Sequence, residues 1–334
     1  MSESINRIGV VGGGAWGTAL ASVAARAGRD VLVWAREEDV VADINTRHVN
    51  SMFLDGIALD PAIRATANLA DMAGRDALLL VTPAQALGAI SGELARCLPD
   101  GLPLAICSKG IEQRSGRFLS DILAEACPRA LPAILSGPSF ASDVASGLPT
   151  AVTLACADAE RGAALAAALS GPGFRLYLTD DILGAQIGGA VKNVLAIACG
   201  ICEGKALGAS ARAALTTRGF AELRRLAVAL GAREETLSGL SGLGDLILTC
   251  NSAQSRNMSL GMALGQGKSL EEVLGSRRSV SEGVFTAAAV AARARELKIE
   301  MPICEAVHAV VSGVLDVDTA IQGLLARPAG SEAG

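Results

Sequence analysis

Lysine is the side chain that this sequence offers for moving a proton, because histidine and tyrosine, the usual proton donors to a ketone, are scarce. The 334 residues include two histidines and one tyrosine. Lys192 has the most apolar neighbours of any lysine, in the segment 186–198 (QIGGAVKNVLAIA). Desolvation there favours the neutral amine, so Lys192 could exchange a proton near neutral pH. A lysine that extends from an apolar helix to solvent explains the position equally well.

Asp245 is the candidate partner of Lys192, since a nearby carboxylate can hold an amine protonated and orient it. It lies in a predicted glycine-bounded turn, Gly242-Leu-Gly-Asp-Leu246, where an ordinary helix cap is an alternative interpretation. Lys109 follows a predicted strand and could position a carbonyl or an anionic group. We interpret His308 as structural, and His48 could at most flank a cofactor.

Ser255, Arg256 and Asn257 are consecutive and form a candidate phosphate clamp. A hydroxyl, a guanidinium and an amide at a predicted helix start suit an anion, although a polar turn is the alternative. The formal net charge is −5 and the isoelectric point about 5.3, which argues against bulk binding of nucleic acid. An anionic substrate would therefore need a local cluster of cations.

A glycine-rich turn near the N-terminus predicts a dinucleotide site. The segment 8–18 (IGVVGGGAWGT) places a strand before G-x-G-x-x-G and a helix after it. Gly12 permits the tight turn, Gly14 lets a pyrophosphate approach the backbone, and Gly17 lets the helix pack against the strand. The complete strand–turn–helix context favours this interpretation over a glycine-rich turn in another α/β protein.

Arg36 stands near the end of the second predicted strand, where an NAD-only enzyme usually has an acidic residue. A guanidinium there can accept a 2′-phosphate and stack on adenine. We therefore predict that NADPH is accepted, with NADH as the second candidate. A solvated surface arginine is the alternative interpretation of Arg36.

Short apolar runs alternate with helix-like segments in the first half, which predicts a parallel sheet covered on both faces. Polar segments follow three of these runs, at the strand ends where open α/β sheets bind ligands. The predicted strands are Ile8–Val11, Val31–Trp34, Ala77–Val81, Leu104–Cys107 and Ala133–Leu135, with Ala151–Ala155 and Phe174–Leu178 as candidate extensions.

Strand patterns stop near Ile182, and long Ala/Leu-rich helices follow, separated by turns such as Ser238–Gly244. We therefore expect an α/β protein: an N-terminal Rossmann-type doubly wound parallel sheet, followed by an all-α C-terminal domain. The predicted domains are 1–181 for the dinucleotide and 182–334 for substrate and catalysis.

The cellular setting is predicted from the cysteines and the N-terminus. Cys199 and Cys202 form the only CxxC among eight cysteines, and we favour free thiols over a redox or metal site. The charge-free run 8–25 could be a secretory signal, but its glycines argue against one. We expect a cytoplasmic protein without stable membrane insertion and without a metal.

At these residues the sequence resembles the bacterial NAD(P)-dependent glycerol-3-phosphate dehydrogenases, and the resemblance covers essentially the whole chain. It departs from the family at Ala15-Trp16, where many members carry serine before an aromatic residue, and at the segment 277–281. The matching segments are Gly12–Thr18, Ser108–Gly110, Ser136–Ala141, Gln186–Asn193, Gly242–Leu246, Gln254–Asn257 and Ser281–Gly283.

The resemblance implies reduction of dihydroxyacetone phosphate to sn-glycerol 3-phosphate, the phospholipid backbone, with Lys192 as proton donor and acceptor. The implied substrate-binding positions are Lys109, Gly137, Ser139, Lys192, Asp245, Ser255, Arg256 and Asn257. The implied cofactor-contacting positions, beside Gly12, Gly14 and Gly17 of the motif, are Ala15, Trp16, Arg36, Lys109, Ala141, Arg256, Val280 and Glu282.

Two rival functions remain open from the sequence. One is a 3-hydroxyacid dehydrogenase of similar architecture, which would bind a carboxylate substrate in the same cleft. The other is a dinucleotide sensor without chemistry, although such a protein would have no need for the Lys192–Asp245 pair. We expect a small phosphorylated substrate as partner and a homodimer, formed through the helical domain.

Overall fold

The computed structural model describes residues 4–275 and 281–328 of the chain. Eight strands form one sheet in the order β3-β2-β1-β4-β5-β6-β7-β8. The strands are β1 Arg7–Val11, β2 Asp30–Trp34, β3 Arg64–Thr66, β4 Ala77–Leu80, β5 Pro103–Ile106, β6 Leu131–Ser136, β7 Thr150–Cys156 and β8 Phe174–Thr179.

Helices cover both faces of this sheet, as the continuous apolar strands predict. Leu79 of β4 belongs to one buried cluster, whereas its neighbours Leu78 and Leu80 belong to the cluster on the opposite face. The helices of this half are α1 Ala15–Arg26, α2 Glu38–Arg47, α3 Leu87–Leu94, α4 Leu119–Ala126, α5 Ala141–Ala145 and α6 Ala159–Leu169, with 3₁₀ turns at Leu69–Gly74 and Ala84–Ala86.

The sheet differs from the prediction at its two edges. All neighbours from β3 to β6 are parallel, but β7 runs antiparallel to β6, and β8 runs parallel to β7. The connection between β6 and β7 carries only the five-residue helix α5, and the chain reverses there. Strand β3 was not predicted, because three residues are too few to show a pattern.

The second half is helical within its described residues. Its helices are α7 Ile182–Gly204, α8 Ala209–Ala229, α9 Glu234–Ser238, α10 Asp245–Cys250, α11 Arg256–Gly265, α12 Leu270–Gly275, α13 Glu282–Leu297, α14 Pro302–Val311 and α15 Val317–Leu325. The Rossmann-type sheet followed by a helical region is thus confirmed. The domain division at 181/182 stays a prediction, with the last strand ending at Thr179 and α7 beginning at Ile182.

The predicted turn at Ser238–Gly244 is wrong in its conformation. Leu240–Gly244 forms a π-helical turn that continues directly into α10. A β-carbon on Gly242 would lie 1.9 Å from the Leu237 carbonyl oxygen, so this wide turn requires a glycine. The glycines that suggested a loop instead allow the π-helical turn to lie close to the backbone of α9.

Helix α7 is the centre of the helical half, and every residue from Gly184 to Cys202 is buried. It is apolar and long enough to cross a membrane, but 89% of its most apolar window is buried inside the protein, as in a core helix. Cys199 and Cys202 both lie on this helix as buried free thiols. Residues 4–275 and 281–328 contain no cluster of His, Cys, Asp or Glu arranged to hold a metal.

Glycines set the spacing between α7 and α11. A β-carbon on Gly261 would lie 2.1 Å from the Ile197 carbonyl oxygen, and one on Gly200 would lie 2.1 Å from the Met258 carbonyl oxygen. Backbone atoms cannot move aside as a side chain can. The α7–α11 contact therefore depends on glycine from both helices.

We expect Gly261→Ala to lower the free energy of unfolding by roughly 1–3 kcal/mol, because the added methyl group forces the two backbones apart. Urea denaturation followed by circular dichroism measures this. Gly92→Ala in α3 is the matched control, since a β-carbon there meets no atom within 4 Å. The control should leave stability unchanged or raise it by up to about 1 kcal/mol through helix propensity. Equal stability of Gly261→Ala and wild type would contradict the packing argument.

Candidate active site

Lys192 and Asp245 form a buried ion pair between α7 and α10. The Lys192 ammonium donates hydrogen bonds to Asp245 Oδ1 and, at 2.9 Å, to Thr249 Oγ1. Asp245 is fully buried and Lys192 is 6% exposed. Burial lowers the pKa of Lys192 to about 8, although the charge of Asp245 acts in the opposite direction. Lys192 is therefore a desolvated amine that can lose its proton near neutral pH.

Lys109 shares the same carboxylate. Its ammonium donates to Asp245 Oδ2 at 2.7 Å and to the Gly137 carbonyl oxygen at 3.0 Å. One carboxylate thus faces two ammonium groups, and the positive charge of Lys109 further lowers the pKa of Lys192. The excess positive charge makes the cluster attractive to an anionic substrate.

The carboxyl ends of the central strands bring these groups together. Lys109 follows β5 and Gly137 follows β6, where it adopts a φ of +153°. A β-carbon on Gly137 would lie 2.8 Å from the Val152 α-carbon, so glycine lets the chain pass close to β7 at the point where its carbonyl oxygen accepts from Lys109. Asn193 donates from Nδ2 to the Lys109 carbonyl oxygen at 3.2 Å, which ties α7 to the segment after β5.

The candidate phosphate clamp lies at the start of α11. Ser255 is the N-cap, and its hydroxyl oxygen accepts from the Met258 N–H at 3.2 Å. Asn257 is buried, and its Oδ1 accepts from the Gly283 N–H at 3.1 Å, so it also fixes the start of α13. Arg256 is exposed between them. Ser255 and Asn257 therefore hold the starts of α11 and α13 in place through their own hydrogen bonds.

Glu282 presents an unpaired carboxyl oxygen beside Gly110. Its Oε1 accepts from the Ala84 N–H at 3.1 Å, whereas Oε2 is buried with no hydrogen-bond partner among the described residues. A β-carbon on Gly110 would lie 3.2 Å from this Oε2 and 3.8 Å from Thr286 Oγ1, which is also unpaired. Burial raises the pKa of Glu282 against the lowering influences of Ala84 and Arg256. Unpaired buried polar atoms of this kind fit a site that a ligand completes.

The glycine turn has the geometry that a pyrophosphate requires. Gly12 has a φ of +130°, and a β-carbon on Gly17 would lie 1.9 Å from the Gly12 carbonyl oxygen. By contrast, no atom lies within 4 Å of a β-carbon on Gly14, so the backbone is open there. Ala15 and Trp16 begin α1, whose first N–H groups point towards the turn. These residues fit a dinucleotide cofactor.

The remaining predicted positions lie at the same edge of the sheet or outside the described residues. Arg36 follows β2, and its guanidinium forms an exposed ion pair with Glu37 at 3.0 Å. The Ser139 hydroxyl donates to the Gly137 carbonyl oxygen at 3.2 Å, and Ala141 begins α5. Val280 lies outside the described residues.

Sequence reasoning missed Thr249, Asn193 and Thr286. Thr249 follows Asp245 by four residues on one helix, a spacing that places both on the same face and that could have indicated the contact with Lys192. The contact from Asn193 to Lys109 joins residues 84 positions apart. No local sequence pattern predicts a contact between residues so far apart in the chain.

Two family models match the chain: the NAD-dependent glycerol-3-phosphate dehydrogenase N-terminus over residues 7–162 and the corresponding C-terminus over residues 181–322. Glycerol-3-phosphate dehydrogenase (NAD(P)+) from Parvibaculum lavamentivorans is 61% identical over 332 residues, covering 99% of this chain and 100% of the relative. The Caulobacter vibrioides protein of the same name is 58% identical over 330 residues, covering 99% and 100%.

A solved structure agrees with these matches. The crystal structure of glycerol-3-phosphate dehydrogenase from Coxiella burnetii superposes with a TM-score of 0.92 at 38% identity, covering 97% of this chain and 99% of that one. The family models together span both the sheet and the helical half, and the relatives match along their whole length. This chain belongs to the NAD-dependent glycerol-3-phosphate dehydrogenase family.

Proposed function

We propose that this chain reduces dihydroxyacetone phosphate to sn-glycerol 3-phosphate with NADPH or NADH, reversibly, and so supplies the glycerophospholipid backbone. The observation that carries the proposal is the buried cluster of Lys192, Asp245 and Lys109 at the strand ends that also hold the glycine turn. Close relatives bear the name of this activity.

Lys192 is the proposed catalytic acid. A reduced nicotinamide, when bound, supplies the hydride for the ketone carbon. The Lys192 ammonium gives its proton to the ketone oxygen, so that an alcohol forms and a neutral amine remains. Burial already lowers the pKa of Lys192 to about 8, which eases loss of the proton. In the oxidation direction the neutral amine accepts the alcohol proton.

Asp245 and Lys109 orient this exchange. The hydrogen bond from Lys192 to Asp245 fixes the direction of the ammonium group, and the negative charge limits the fall in pKa. Lys109 is held by the other oxygen of the carboxylate and by Gly137, near enough to offer a positive charge to the substrate. Gly137 and Ser139 complete this side of the proposed substrate site.

The phosphate is proposed to bind at the start of α11. Arg256 and Asn257 begin α11 and offer backbone N–H groups, a guanidinium and the positive end of the helix dipole, with Ser255 as the N-cap. Arg256 is exposed at that end, whereas Ser255 and Asn257 are buried and shape the site through their own hydrogen bonds. Together with Lys109 they give an acidic protein the local positive charge that a phosphorylated substrate needs.

The proposed cofactor positions are spread over the glycine turn, the segments that follow strands of the sheet, and the second half of the chain. Arg36 is 84% exposed and can turn towards a 2′-phosphate, which is why we propose that NADPH is accepted. Glu282 offers its unpaired Oε2 beside Gly110, after β5. The full set is Gly12, Gly14, Ala15, Trp16, Gly17, Arg36, Lys109, Ala141, Arg256, Val280 and Glu282.

The setting of the enzyme is part of the proposal. We propose a cytoplasmic homodimer with a dinucleotide-binding domain at 1–181 and a substrate-binding and catalytic domain at 182–334. All eight cysteines are free, which suits a reducing compartment. Exposed apolar side chains on the helical half, such as Leu325, offer surface for a dimer contact.

Purified protein should oxidise NADPH, and NADH in a parallel assay, when dihydroxyacetone phosphate is added. Lys192→Ala should lower kcat by about 100-fold or more, since the forming alkoxide loses its proton donor. Lys192→Arg should be comparably slow, because a guanidinium keeps the charge but does not give up its proton.

Lys205→Ala is the matched control for this test, since Lys205 lies at the end of the same helix and pairs with Asp318. It should turn over at close to the wild-type rate. Rapid turnover by Lys192→Ala would remove Lys192 from the mechanism, whereas failure of the wild type with both cofactors would remove the activity itself.

The pH dependence follows from the lowered pKa of Lys192. Reduction requires the ammonium form, so kcat/KM for reduction should be high below about pH 8 and fall as the pH rises through it. Oxidation requires the neutral amine and should rise over the same range. Asp245→Asn removes the charge that supports the ammonium form and should shift both transitions to lower pH. A shift to higher pH in that variant would contradict the proposed electrostatics.

A further inference from the structure

Asn50 is a fully buried amide that the proposed mechanism does not use. It lies between α2 and β3, and its Nδ2 donates to the Gly13 carbonyl oxygen at 2.8 Å and to Thr18 Oγ1 at 2.7 Å. Its Oδ1 accepts from the Phe53 N–H at 3.2 Å. Asn50 is thus hydrogen-bonded to the middle of the glycine turn, 37 positions earlier in the chain.

Thr18 extends this set of hydrogen bonds to the next peptide group. Its hydroxyl donates to the Gly14 carbonyl oxygen at 3.0 Å, while its backbone N–H donates to the same oxygen at 2.9 Å. The hydroxyl oxygen in turn accepts from Asn50. Two consecutive carbonyl groups of the turn, those of Gly13 and Gly14, are therefore held by one connected set of hydrogen bonds.

Fixing a carbonyl group also fixes the N–H that follows it. The two groups lie in one planar trans peptide and point in opposite directions. Because the Gly13 carbonyl faces Asn50, the Gly14 N–H faces away from it, and in the same way the Gly14 carbonyl determines the direction of the Ala15 N–H. A β-carbon on Gly14 would meet no atom within 4 Å, so the backbone here is open to a ligand.

We propose that Asn50 is a positioning residue that aims the backbone N–H groups of the glycine turn at the pyrophosphate of the dinucleotide. The inference rests on the proposed function only in taking a dinucleotide as the ligand of this turn. Asn50 itself does not touch the cofactor. It acts through the Gly13 carbonyl and through Thr18.

The physical need for such a residue comes from the glycines. Three consecutive glycines, Gly12 to Gly14, have more backbone freedom than any other tripeptide, and ordering them on binding opposes affinity. A buried amide that orders the turn beforehand removes that penalty. The N–H groups are then already directed when the anion arrives.

The test is direct binding of NADPH, measured by fluorescence titration without substrate. Asn50→Ala should raise the Kd about tenfold, because the turn loses the ordering that a hydrogen bond to the Gly13 carbonyl provides. At saturating NADPH its kcat should stay near the wild-type value, since no reacting group is changed. Thr18→Val should also raise the Kd, and the double variant should show less than the sum of the two effects.

Asn45→Ala is the matched control. Asn45 also bridges to backbone, donating to the Ala65 carbonyl oxygen at 2.9 Å and accepting from the Ala65 N–H at 2.8 Å, but it touches β3 and not the glycine turn. Its loss should lower the melting temperature and leave the Kd for NADPH unchanged. A purely structural role of Asn50 would give the same pattern for Asn50→Ala.

Each result decides the matter. A folded Asn50→Ala with the wild-type Kd overturns the inference and leaves the proposed function standing. If Asn50→Ala does not fold, Thr18→Val decides, because an unchanged Kd there overturns the inference as well. A wild-type protein that binds neither NADPH nor NADH would overturn the proposed function, and this inference with it.

Discussion

The Asp245 carboxylate accepts hydrogen bonds from two lysine ammonium groups while it is itself fully buried. Burying charged groups is costly unless they are paired, and breaking such a pair typically costs roughly 3–5 kcal/mol because a charge is left behind. The structure therefore has to hold Lys192 of α7, Asp245 of α10 and Lys109 after β5 in one place. The same arrangement keeps one amine poised to lose a proton.

Close backbone approach makes this arrangement possible. A β-carbon on Gly188 of α7 would lie 2.4 Å from the Ser241 carbonyl oxygen, so the π-helical turn leading to Asp245 can lie directly against α7. In the glycine turn the same residue type acts differently, because a β-carbon on Gly14 would meet no atom within 4 Å and the backbone there is open. Glycine thus has two structural effects, which are tight helix packing around the lysine cluster and an open backbone in the glycine turn.

Local sequence was enough to predict the elements that depend on local chemistry. The glycine turn, its strand and its helix are adjacent in the chain, and the apolar setting of Lys192 is visible in a single segment. The antiparallel direction of β7, the short strand β3 and the π-helical conformation of Leu240–Gly244 were missed, because each depends on what the segment packs against. The hydrogen bonds from Asn193 to Lys109 and from Asn50 to Gly13 join residues that are 84 and 37 positions apart, and only the folded chain brings them together.

The proposed proton transfer depends on the pKa of Lys192, which can be measured by nuclear magnetic resonance of protein labelled at lysine side chains, with Lys192→Arg identifying its resonance. We expect a value of about 8, well below the 10.5 of an ordinary lysine, because burial outweighs the charge of Asp245. A titration near 10.5 would contradict it, since Lys192 would then be a solvated or fully compensated cation without a lowered barrier to giving up its proton.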